Sequence, residues 1–209
     1  MKTDDFIRDL ASTAPPLAPK RGSLFVHGFA GLTFASVAFI GLSGVRPDLG
    51  DAWLSTGLKV SFGALAAAAM APLMTRIAGQ SLHVRNAIVW PALVLTLAAA
   101  VSVVGLAMTT DAMRWTRWTG SGVPDCLWQI PLIAAPMGAA LILAMRRFGP
   151  TRLSLAGLAI GAVAGGLAAI PYSLFCPIDF APYVATWYTA AFAICAALGA
   201  TMGARLLRW

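Results

Sequence analysis

The sequence predicts an all-α membrane protein, a bundle of six transmembrane helices with both termini cytoplasmic. Three observations lead there. The 209 residues are 59% hydrophobic and only 11% charged, against about a quarter charged in soluble domains, and the mean hydropathy is +0.78. The apolar residues gather into six runs, each of the length a bilayer crossing needs, about 20 residues at 1.5 Å each. The cations lie between the runs, and far more of them on one side than on the other.

Residues 1–22 form the only long polar stretch and are read as a separate cytoplasmic segment, with 23–209 as the six-helix domain. Thr3 suits a helix cap, Asp4 and Asp5 suit the positive end of the helix dipole, and Phe6, Ile7 and Leu10 share one stripe. Pro15, Pro16 and Pro19 end that helix and leave an extended tether. Acids rather than cations open the segment, so it does not read as a signal peptide. It is either a disordered tail or a recognition segment that folds when a partner covers Phe6, Ile7 and Leu10.

The six runs span roughly 24–42, 54–78, 87–108, 127–145, 153–175 and 183–204. In lipid the backbone must satisfy its own hydrogen bonds, so each is a helix. An even number of crossings places both termini on one side. With the N-terminus inside, the inner segments hold Lys2, Arg8, Lys20, Arg21, Arg76, Arg85, Arg146, Arg147, Arg152, Arg205 and Arg208. The outer loops hold only Arg46, Arg114 and Arg117. This positive-inside bias sets the orientation, with both ends cytoplasmic. Beyond the N-terminal segment all five acids, Asp48, Asp51, Asp111, Asp125 and Asp179, fall in outer loops. Trp53, Trp115, Trp118, Trp128 and Trp187 mark the outer interface, and Trp90 and Trp209 the inner one.

Gly157, Gly161 and Gly165 line one face of the fifth crossing, and Gly199 and Gly203 one face of the sixth. Small faces let helix backbones approach. They read as packing within the chain, with a homodimer face as the competing reading. Pro72, Pro91, Pro131, Pro136 and Pro171 are expected to bend their helices or mark their ends.

Lys59 stands near the outer end of the second crossing, shallow enough to snorkel; the competing reading pairs it with Asp51, Asp125 or Asp179. His27 and His83 lie toward the inner side, and no second buried charge suggests a proton relay. No catalytic triad, HExxH motif, phosphate-binding loop or buried carboxylate pair is present, so an enzyme is not expected and no cofactor is implied. The net charge of +7 is spread over short inter-helix pieces, which argues against direct nucleic-acid binding.

Cys195 reads as a small apolar filler in mid-membrane. Cys126 and Cys176 stand at outer helix ends, in Pro-Asp-Cys and Cys-Pro-Ile-Asp turns facing an oxidising compartment. They either form a disulfide staple or remain a reactive pair. Such a pair offers two thiolates to a soft metal ion, with Asp125 and Asp179 as supporting carboxylates.

The chain resembles the negative regulators of the sigma-F type, six-helix bacterial inner-membrane anti-sigma factors. The resemblance runs nearly end to end. It rests on the opening Met1-Lys-Thr-Asp-Asp-Phe-Ile, the stretch from Trp53 to Lys59, and Cys126 followed by Pro131 and Pro136. Its most specific part is Tyr172, Cys176-Pro177, Asp179, Trp187-Tyr188 and Leu207-Arg208-Trp209. Two departures are Arg85-Asn86, in place of a simpler Arg-Pro-Gly-like turn, and Phe175, where a polar residue is frequent. The resemblance implies that Asp4, Asp5, Phe6, Ile7 and Leu10 hold an extracytoplasmic-function sigma factor at the membrane. It also implies that Cys126 and Cys176 sense an envelope stress, heavy metal or oxidant, with Lys59, Asp125, Asp179, Trp187 and Tyr188 in support. A small metal or solute transporter or channel, and a membrane oxidoreductase using the two thiols, are the alternatives.

Overall fold

Apolar runs of this length have one stable form in lipid, and the computed structural model shows it. It describes residues 3, 5, 9, 22–78, 85–120 and 124–208. The helices are α1 (Gly22–Ser43), α2 (Trp53–Ala78), α3 (Arg85–Ala107), α4 (Asp111–Thr119), α5 (Cys126–Arg146), α6 (Leu153–Phe175) and α7 (Ala181–Leu206). All but α4 are long and apolar enough to cross a membrane, and no strand occurs among the described residues. Each of the six long helices begins and ends within two residues of the run that predicts it. At the N-terminus, Thr3, Asp5 and Asp9 are helical and exposed, while Asp4, Phe6, Ile7 and Leu10 lie outside the described residues.

Helix α6 is the axis of the bundle. It packs against α7, α2, α5 and α1, and nearly all its residues from Ala156 to Ser173 are buried. Glycine makes that possible. A Cβ on Gly203 of α7 would lie 2.6 Å from the Gly157 Cα, and one on Gly199 2.9 Å from the Gly161 Cα. On another face of α6 a Cβ on Gly166 would sit 2.8 Å from the Ala67 nitrogen of α2. Close backbone approach replaces hydrophobic contrast, which lipid does not supply. These glycines are used inside one chain. Cys195 is buried against Gly165, the filler position expected of it.

The five mid-helix prolines lie within α2, α3, α5 and α6, and none marks an end. Large apolar side chains on α1 and α3, among them Phe25, Phe29, Phe34 and Val103, are exposed, as lipid-facing surfaces require.

Helix α4 departs from the sequence reading, which has a loop there. Extended Thr110 leads into it and Gly120, at φ 67°, stops it. Its nine residues are too polar to cross. Trp118 stacks on Trp187 with ring centroids 5.2 Å apart, and the Trp187 Nε1 donates to the Trp118 carbonyl at 2.7 Å. That tertiary anchor holds α4 against α7, and local sequence does not announce it.

The glycine seam gives a direct test. Gly161→Val should lower folded stability in detergent by at least about 2 kcal/mol, the cost of overpacking against backbone. Gly41→Val, where a Cβ meets nothing, should change it by less than about 0.5 kcal/mol. Thermal denaturation followed by circular dichroism compares the two.

Candidate functional site

The site forms where α6 ends. A helix C-terminus leaves carbonyls unpaired and carries partial negative charge. Here two cations from other elements supply the donors. Arg46 comes from the loop after α1, and its backbone N–H donates to the Leu174 carbonyl at 3.0 Å. Lys59 comes from α2, on the buried stripe it shares with Thr56, Gly63 and Ala67. Both side chains are only 3% exposed.

Every N–H of the Arg46 guanidinium has an acceptor. Nε donates to Asp48 Oδ1 at 2.8 Å and Nη2 to Asp48 Oδ2 at 2.7 Å. Nη1 and Nη2 also donate to the two Asp179 oxygens, at 2.8 and 3.0 Å. Nη1 further reaches the Cys176 carbonyl at 3.3 Å. The Lys59 ammonium is equally engaged. It meets Asp179 Oδ1 at 2.8 Å, the Cys176 carbonyl at 2.7 Å and the Ile178 carbonyl at 3.3 Å. Two cations and two carboxylates balance, and the turn from Cys176 to Asp179 is clasped by backbone and side chain together.

Charge sets the proton affinities. Hydrogen bonds to Asp48 and then Asp179 hold the Arg46 guanidinium well above its ordinary value. The hydrogen bonds from Arg46, with Lys59 adding to them, hold Asp179 far below the usual carboxylate range. Arg46 likewise lowers Asp48. Arg46, Asp48 and Asp179 are all charged at neutral pH.

Two sequence readings are corrected here. Lys59 does not snorkel: its place on the α6-facing stripe aims the stem inward, and of the three acids weighed Asp179 is the partner. A second buried charge does exist, Arg46, which sequence reasoning counts only as an outer-loop cation. The usable signal is Asp48 two residues on, the geometry of a local Arg–carboxylate fork.

The thiols lie just beneath. Cys126 opens α5 and Cys176 follows α6; both are free, at 0% and 2% exposure, in one buried cluster with Tyr172, Tyr183 and Tyr188. The Tyr183 hydroxyl neighbours Cys126, and Tyr172 and Tyr188 flank Cys176. Tyr172 and Tyr188 stack edge-on with centroids 5.7 Å apart, and the Tyr188 hydroxyl has no hydrogen-bond partner. Trp187, one residue away, turns instead to α4. Asp125 is exposed and accepts from Trp128 Nε1 at 3.3 Å. Among the described residues no three His, Cys, Asp or Glu side chains gather in a way that holds a metal ion, and Asp179 is committed to cations. Burial shields both thiols from reagents in solvent.

The family model described as negative regulator of sigma F matches residues 8–209. The chain belongs to that family. It is 32% identical to the probable anti-sigma-F factor NrsF of Azospira oryzae over 219 residues, and 30% identical to the anti-sigma-F factor NrsF of Caulobacter vibrioides over 216. Both alignments cover the whole of each chain. No solved structure matches. The family is regulatory and non-enzymatic, in line with the absence of catalytic motifs from the sequence. The NrsF-type resemblance read from the terminal block is therefore sound.

Carboxylates held below their ordinary range stabilise the fold above about pH 4, and lose that effect as pH falls through their lowered values. The thermal midpoint in detergent should thus be insensitive to this cluster from pH 8 to 5 and drop in stronger acid. Asp179→Asn should be less stable at pH 7, its deficit shrinking below about pH 4. Arg46→Lys, with three donors for five, should cost about 2 kcal/mol in the same assay.

Proposed function

We propose that the chain is an anti-sigma factor of the bacterial inner membrane, with both termini in the cytoplasm. The observation that carries this reading is similarity over the full length to proteins named anti-sigma-F factors. In this reading residues 1–22 retain an extracytoplasmic-function sigma factor, through Asp4, Asp5, Phe6, Ile7 and Leu10. In a short segment, ordering on contact offsets part of the binding energy and keeps release within reach of a modest signal. The cation bias across the membrane supports the orientation, since it leaves the segment on the side where a sigma factor works.

Cys126 and Cys176 are the sensing thiols of this proposal, the targets of heavy metal or oxidant arriving from outside the cell. Tyr188, Asp179 and Lys59 support them by shaping and holding the Cys176 turn; Trp187 and Asp125 fix the neighbouring helix ends. Because both thiols are buried, a signal must catch the turn open, and its binding then favours that open state. The transporter reading gains no support. The buried polar and charged residues described, Arg46, Thr56, Lys59 and Ser173, gather around one end of the bundle, and apolar residues fill the rest.

Deleting residues 1–19 should abolish co-purification of the sigma factor while membrane insertion persists; a truncated chain that still captures it would falsify the tail's role. Replacing both thiols, Cys126→Ser with Cys176→Ser, should leave insertion and retention intact and abolish induction by cadmium or peroxide in a reporter strain. An undiminished response in the double variant would remove the thiols from the mechanism.

A further inference from the structure

Helix α1 leads out of the N-terminal segment, yet it is packed on one side only. It lies against α5 and α6, where a Cβ on Gly31 would come within 2.9 Å of the Met137 Cα. Helix α2 follows α1 in the chain but does not pack along it. An apolar groove of about 380 Å3 runs between them, with Phe25, Phe29 and Leu32 on one wall and Ala64, Ala68 and Ala71 on the other. Apolar helix contacts in lipid are held by shape alone. At its far end α1 stops at Gly44, φ 79°, and two residues later Arg46 is fastened to the end of α6. Among the described residues, every hydrogen bond from α1 or the loop after it to α6 and its turn is made by Arg46.

We propose that the clasp of Arg46 and Lys59 on Asp179 and the Cys176 carbonyl is a latch that fixes α1, so that displacing the Cys176 turn frees α1 and the segment preceding it. The link to that segment rests on the anti-sigma reading; the latch itself does not. The Cys176 carbonyl is the shared acceptor of both cations, and Asp179 is three residues on. A rotation of the Cys176 turn therefore withdraws acceptors from Arg46 and Lys59 together. With all eight donors of the two cations engaged, partial opening would strand buried N–H groups. The cluster opens as a unit or stays shut. That is the two-state element a signal needs to bias. Arg46, Lys59 and Asp179 are thus positioning residues, acting on α1 through the loop.

The test uses the full chain in lipid nanodiscs. Spin labels are introduced as non-canonical amino acids at Phe34 of α1 and Leu65 of α2, both exposed. Wild-type protein should give one narrow distance distribution by double electron–electron resonance. Asp179→Asn should shift or broaden it by about 2 Å or more, the scale of helix displacements in switching proteins, while helical content is retained. An unchanged distribution in folded Asp179→Asn overturns the latch. If that variant does not fold, Lys59→Met and Arg46→Lys carry the same criterion, and unchanged distances in both overturn it. In the same variants, retention of a co-expressed sigma-F-type factor should fall roughly tenfold, within the usual range of coupling between sites. Undiminished retention with a displaced α1 overturns the link to the N-terminal segment. A wild-type chain that retains no sigma factor counts against the proposed function instead, and the distance measurement still decides the latch.

Discussion

Two cations drawn out of solvent at the edge of an apolar bundle set the terms for this structure. A charge buried there is tolerated only when every donor finds an acceptor, and Arg46 and Lys59 meet that condition through Asp48, Asp179 and the carbonyls closing α6. The same bonds do two jobs. They neutralise the charges, and they cap a helix end that would otherwise present bare carbonyls. Because three segments distant in sequence contribute, the turn carrying Cys176 cannot take its position unless α1, α2 and α6 are all in place.

The rest of the bundle follows from how lipid changes the packing problem. Hydrophobic burial does not distinguish a helix neighbour from an acyl chain, so α6 is gripped by backbone proximity instead, through Gly157 and Gly161 toward α7 and Gly166 toward α2. Helix α1 lacks such a seam with α2 and faces a groove. The molecule thus joins a rigid centre to a peripheral helix packed along one side on α5 and α6 and fastened at one end by polar bonds. The proposed role, retaining and then releasing a partner, is served by that contrast.

Much of this was legible in the sequence. Six crossings, their bounds to within two residues, and the role of the paired glycines follow from apolar length and four-residue spacing, signals that lipid makes strong. The family follows from the terminal block around Cys176-Pro177, Asp179 and Trp187-Tyr188. What escaped is tertiary. Arg46 looks like any loop cation until Asp179, 133 residues away, is brought beside it. Lys59 is shallow enough to reach water, and only the orientation of its stripe toward α6 decides that it does not. The burial of both thiols beneath the clasp has no local signature, and neither does α4, whose anchor is the indole of Trp187.

The clasp holds the Cys176 turn shut over its thiol. The most direct measurement is the rate at which N-ethylmaleimide alkylates Cys126 and Cys176 in the purified full-length protein, resolved by mass spectrometry, in wild type and in Lys59→Met. The clasp predicts slow labelling of both thiols in wild type and markedly faster labelling of Cys176 once Lys59 is removed, with buried Cys195 unchanged in both. Rapid labelling of Cys176 in wild type, or equal rates in the two proteins, would contradict it.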